Sequence, residues 1–180
     1  RIECHEAICS WSRDILLEAK SVAEEEGWVC LHAIVDSIWL KDEWERDKEA
    51  QAESIERVLY KIEKLSGIPI ELEDVYDWIA FVPNRTTGSS SLTKYFAYGE
   101  RGWKIRGIEL RQHSTCEWVK DMQMRVLSEL NERGHVAGVE ASLRHYRREA
   151  VRMREGAVPL SELIISRRVR SDLLSYKVLN

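Results

Sequence analysis

The chain has 180 residues, 44% of them hydrophobic and 32% charged, with a net charge of −4. That is enough for one ordinary domain with a real core, and it excludes a disordered tail or a collagen-like repeat. The charge is uneven: residues 1–82 carry a net −11 and residues 83–180 a net +7, which fits either a polyanion-binding second half or two differently solvated faces of one fold.

The opening Arg-Ile-Glu-Cys-His-Glu is mixed and charged and does not read as a secretory signal. Ile8, Ile15, Leu16, Ala19, Val22 and Ala23 recur at helical spacing over Ala7–Glu26, and Gly27 is placed to cap that helix. Trp28–Leu40 is rich in Val, Ile and Trp around a polar centre at His32, Asp36 and Ser37, and reads as a hairpin or one long strand with a polar break. Its apolar run Val29–Val35, interrupted by His32, falls far short of the roughly 20 residues of a membrane-spanning helix.

Asp42–Leu65 is expected to be helical, with acidic residues at its start and a stripe of Ile55, Val58, Leu59, Ile62 and Leu65. Ser66-Gly67-Ile68-Pro69 breaks it. Ile70–Val82 has strand character, Arg85–Ser91 is a polar loop, and Leu92–Tyr98 with Trp103–Leu110 forms a hairpin about a Gly99–Gly102 turn. From Ser114 the pattern is helical. Ser114-Thr115-Cys116-Glu117 offers a hydroxyl cap. Val119, Met122, Val126, Leu127 and Leu130 form one core stripe, and Val139, Leu143, Tyr146, Ala150 and Met153 the next.

The four cysteines, Cys4, Cys9, Cys30 and Cys116, lack zinc or redox spacing and read as small buried hydrophobes in a reducing compartment. Most of the seven tryptophans read as packing, Trp44 as exposed. Arg144, Arg148 and Arg152, spaced by four, share a helix face opposite the apolar stripe, a cationic row of the kind that contacts phosphates. Glu140, Glu149 and Glu155 are placed to balance it. Arg167, Arg168 and Arg170 form a second cluster. By spacing alone, Asp36 is a turn aspartate that hydrogen-bonds its own backbone; a divalent-metal ligand is the alternative.

Taken in order, these segments resemble the archaeal family B DNA polymerases. Arg1–Lys41 resembles the palm, where a helix leads into the metal-binding motif Tyr-Gly-Asp-Thr-Asp-Ser; here it reads His32-Ala33-Ile34-Val35-Asp36-Ser37. Gly67–Glu73 with Val75-Tyr76 resembles the strand after the palm helix. Leu92-Thr93-Lys94-Tyr95 resembles the family's Lys-Lys-Arg-Tyr, and Ile105–Arg111 its Ile-Lys-Gly-Ile-Glu-Val-Arg leading into the thumb. Gly156–Leu163 and Ser175–Val178 resemble later thumb segments. The departures are Ile34 at the first motif aspartate, Leu92 and Thr93 in place of two lysines, Asp77 and Trp78 in place of basic residues, and His113 in place of an acid.

The resemblance implies an α+β chain: residues 1–112 as the later part of a palm, an antiparallel sheet with packing helices, and residues 113–180 as a partial helical thumb. It implies a fragment of a DNA-directed DNA polymerase that binds primer–template DNA by its phosphates. Lys94, Tyr95, Arg106, Arg111, Arg144, Arg148, Arg152, Arg167 and Arg168 would be the contacts, with Asp36 as the catalytic, metal-binding aspartate. Mg2+ and deoxynucleotides belong to the full-length parent, which resembles the degenerate members of the class. The isolated chain, with one motif aspartate, is expected to be inactive, cytoplasmic and free of membrane, and to self-associate through surface a cut palm exposes. The alternative is a non-catalytic structural or regulatory protein of a replication or repair complex, binding its partner through the acidic Asp42–Glu56 stretch.

Overall fold

The structure, a computed structural model, describes residues 2–167; Arg168, Arg170 and Ser175–Val178 lie outside the described residues. The chain forms two compact units, Arg1–Val75 and Tyr76–Asn180.

In the first unit, helix α1 (Ile2–Glu25) is followed by strands β1 (Trp28–Ile34) and β2 (Ser37–Asp42) and helix α2 (Lys48–Ser66). The strands pair antiparallel with Ile34 opposite Ser37, so the hairpin reading holds and its turn is Val35-Asp36. Ala19, Val22 and Ala23 of α1 meet Val58 and Ile62 of α2, and Trp28, Ile38, Leu40, Ile55 and Ile70 pack around them. Removing such side chains from water is what holds a small unit together. Buried Ser54 accepts a hydrogen bond from Trp28 Nε1 at 3.1 Å.

Helix α2 starts later than its acidic run predicts. Asp42 still belongs to β2, because its carboxylate accepts the backbone N–H groups of Trp44 (3.1 Å) and Arg46 (2.8 Å) and so stabilises a turn. Asp47 is the true cap, accepting from the Ala50 N–H at 2.9 Å. Cys4 and Cys9 are exposed rather than buried, and Trp11 is 68% exposed rather than packed.

In the second unit, β3 (Tyr76–Pro83), β4 (Ser90–Gly99) and β5 (Gly102–Arg106) form one antiparallel sheet in the order β3-β4-β5. Residues 70–75 are not strand. Strand pairing with β4 begins where Tyr76 meets Gly99, the last residue of β4, so the ladder does not extend back to 70–75. The strand after the Gly99–Gly102 turn ends at Arg106, and Glu109–Arg111 is a 3₁₀ turn. Trp103 sits 5.6 Å from Trp78 and 4.9 Å from Tyr98, edge to face.

Helices α3 (Glu117–Arg133) and α4 (His135–Arg154) form a hairpin about Gly134. Trp78 Nε1 donates to Asn131 Oδ1 at 2.9 Å, tying the sheet to α3. Ser114 and Thr115 do not cap α3; Cys116 holds the cap position with no side-chain bond. The α3–α4 approach is close enough that a β-carbon on Gly138 would come within 2.8 Å of Leu130 Cα. Such an approach requires small side chains, so α4 packs through Gly138, Ala141 and Ser142, and Ser142 Oγ donates to the Val126 carbonyl at 3.1 Å. The expected stripe is therefore turned outward: Val139, Leu143, Tyr146 and Met153 are 43–53% exposed. Among the described residues no helix is long and apolar enough to cross a membrane.

Candidate nucleic-acid interface

The residues singled out in the sequence fall in both units. In the first, Asp36 is exposed at the tip of the β1–β2 hairpin beside Val35, whose φ of 54° is positive. Ile34, at the position of the missing first aspartate, is half-buried. The residues present do not fit a two-metal centre. Among the described residues no three His, Cys, Asp or Glu side chains gather to hold an ion, and two-metal transfer needs carboxylates on both sides of the pair.

In the second unit two motifs meet. Tyr95 of β4 lies opposite Arg106 of β5. Tyr95 is 4% exposed and its ring centroid is 5.7 Å from that of Phe81, so it anchors the strand, while neighbouring Lys94 is exposed. Just past Arg106, Gly107 turns with φ 69° against the backbone of Thr93 and the stem of Lys94. Arg106 and Arg111 are both exposed. Lys94, Arg106 and Arg111 thus come from one strand pair and the turn that follows it.

That turn is pinned by a residue the sequence reading missed. Gln123 of α3 accepts the Leu110 N–H at 2.7 Å and donates to Glu109 at 3.0 Å. The Glu109 carboxyl titrates below its ordinary range chiefly because of the Gln123 bond, helped by its own backbone N–H and, against some desolvation, by the charges of Lys94 and Arg85. Arg85 was likewise unpredicted; neither residue stands in a motif or a charge row.

The cationic row on α4 is partly neutralised. Arg144 lies 3.7 Å from Glu140, and Arg148 and Arg152 lie 3.5 and 2.7 Å from Glu149. Glu149 is 6% exposed. Desolvation opposes its charge, but the Trp118 indole N–H, Arg152 and His145 outweigh this and hold its carboxyl below the ordinary range. Arg148 also donates to His145 Nδ1 at 2.8 Å. His145 Nε2 is buried with no partner among the described residues, and burial followed by the Arg148 charge pushes its pKa down. Arg167 is exposed at the end of the described chain; Arg168 lies outside it.

This is the fold of one stretch of a DNA polymerase. The family B DNA polymerase from the archaeon Pyrobaculum calidifontis superposes with a TM-score of 0.62 at 22% identity, over 99% of this chain and 21% of that one. No family model matches the chain. A DNA polymerase of Archaeoglobus fulgidus is 26% identical over 163 residues, 90% of this chain and 19% of that protein. One from Pyrococcus horikoshii is 26% identical over 98% of this chain and 14% of its own length. The DNA polymerase 2 of Saccharolobus solfataricus is 24% identical over 84% and 23%. The chain therefore spans less than a quarter of the curated relatives it matches. In sequence the chain is similar to one stretch of archaeal DNA polymerases, and in fold to one stretch of a family B DNA polymerase.

Proposed function

We propose that residues 1–112 are the later part of a polymerase palm and residues 113–180 a partial thumb, and that the second unit holds duplex primer–template DNA by its backbone phosphates. The observation that carries this reading is the strand pairing that sets Lys94-Tyr95 against Arg106-Gly107, two motifs separate in sequence and adjacent in the sheet. Lys94, Arg106 and Arg111 are the primary contacts, with Tyr95 setting their strand. Arg144, Arg148 and Arg152 add charge along α4, and Arg167 and Arg168 add it further along the sequence. Such contacts track shape and charge without reading bases.

In a full-length parent the activity would be template-directed nucleotidyl transfer, with Mg2+ and deoxynucleotides brought together by residues outside this chain. Asp36 is its one candidate metal ligand, so the chain alone is expected to incorporate no nucleotide. Ile34 beside Asp36 favours a second reading: a non-catalytic member of a replication or repair assembly, engaging a protein through Glu43, Glu45, Glu49, Glu53 and Glu56, all exposed.

Fluorescence anisotropy of a labelled primer–template duplex over a salt series tests the DNA reading. Binding should weaken steeply with salt, and each of Lys94→Glu and Arg106→Glu should lower affinity and reduce the salt slope by about one. No binding at low salt, or binding indifferent to both changes, would overturn it and leave the protein-partner reading.

A further inference from the structure

Helix α4 carries an apolar seam that α3 does not cover. Val136, Val139, Leu143, Tyr146, Ala150 and Met153 recur at alternating steps of three and four, the a/d spacing of a coiled coil. Val136 is 79% exposed, Tyr146 53%, Val139 48%, Leu143 47% and Met153 43%. The seam runs from Val136 to Met153, so it is about 25 Å long.

The seam is self-complementary when a second copy runs antiparallel. One register sets Val136 against Met153, Val139 against Ala150 and Leu143 against Tyr146, and the two-fold axis repeats each pair, as an isologous interface requires. The charges agree with that register. Glu140 and Arg147 follow Val139 and Tyr146 along the same edge of the seam, and both are exposed. The register brings Glu140 of one copy beside Arg147 of the other, twice. Arg147 has no ion pair among the described residues, and Glu140 has only the 3.7 Å contact with Arg144. A parallel pair would instead bring Arg147 to Ser142 and Arg154 to Glu149, whose carboxylate is already bound by Trp118 and Arg152.

We propose that the outward face of α4 is a homodimer interface, two copies pairing through antiparallel α4 helices. This does not depend on the DNA-binding reading. A strip this narrow is at the small end of specific interfaces, so the dimer is weak and concentration-dependent.

Sedimentation equilibrium over a wide concentration range tests it. The wild type should pass from monomer to dimer, and Leu143→Glu, at an outward position, should abolish the dimer with its circular dichroism and thermal unfolding unchanged. Glu140→Arg or Arg147→Glu alone should weaken association up to about tenfold, and the double change should restore it. A monomer at every concentration, whatever else covers the seam, would overturn the proposal. So would a dimer indifferent to Leu143→Glu, or charge changes that fail to compensate.

Discussion

Gly107 lies so close to Thr93 that a β-carbon on it would overlap the Thr93 carbonyl oxygen and sit 2.9 Å from Lys94 Cγ. The φ of 69° adds a conformational penalty for any other residue. Gly107→Ala should therefore destabilise the second unit by about 1–3 kcal/mol and shift β4 where it presents Lys94. Lys94→Ala removes the exposed charge without strain. It should leave the melting temperature unchanged and lower duplex affinity, whereas Gly107→Ala lowers both. If Gly107→Ala melts like the wild type, the close approach does not constrain the turn.

Val35 is the opposite case, a residue in the wrong place. It is the first of two turn residues between paired Ile34 and Ser37, and it alone of the two has positive φ. That is the position where a two-residue hairpin of this kind takes glycine. Val35 is 78% exposed, so little burial is lost by removing it. Val35→Gly should stabilise the first unit by about 1 kcal/mol, read as a higher urea midpoint with an unchanged slope. A lower midpoint would mean the valine is held by contacts that repay its strain.

Much of this fold is legible in the chain, and the failures share a cause. The Gly99–Gly102 turn alone dictates that Tyr95 faces Arg106, so the junction of the two motifs follows from sequence. Asp42 and Ser114 are residue types that suit a helix start as well as a turn: the Asp42 carboxylate accepts the Trp44 and Arg46 N–H groups of a turn, and Cys116, not Ser114, holds the α3 cap position. The α4 stripe marks a helix correctly but not its inner face. The nearness of Leu130 to Gly138 puts small residues inside, and apolar spacing carries no information about that distance. Gln123 was invisible because its role rests on reaching Glu109 and Leu110 from another element.

Asp42 and Arg46 form an enclosed ion pair. Their side chains are 6% and 13% exposed, 2.9 Å apart. Arg46 also donates to the Glu26 carbonyl at 2.7 Å and lies 4.7 Å from the Trp44 ring centroid. Burial opposes the Asp42 charge, but the Arg46 and Trp44 backbone N–H groups, Gln51 and the Arg46 charge prevail and hold its pKa below the ordinary value. A carboxyl depressed on folding contributes stability at neutral pH that is lost as pH falls through its folded value. Asp42→Asn should cost about 3 kcal/mol at pH 7. The gap to the wild type should be constant at neutral pH and close only below about pH 4. Chemical denaturation of both proteins between neutral and acid pH checks this; a gap that stays open in acid would mean the loss is steric.

His145 gives the second unit its own acid sensitivity. Burial and then the Arg148 charge lower its pKa, with Arg125 adding to this and Glu149 and Glu129 opposing it. In the unfolded chain it takes up a proton near pH 6.5, while the folded protein resists it. Stability therefore falls as pH drops below about 6.5, and the decline ends once the folded group is also protonated. His145→Gln keeps a polar side chain there and cannot titrate. It should flatten the stability of the α3–α4 hairpin between about pH 7 and 5. Amide exchange in α4 follows that element apart from the first unit. If the wild type and His145→Gln show the same slope, the titrating group is elsewhere and the buried Nε2 has no part in it.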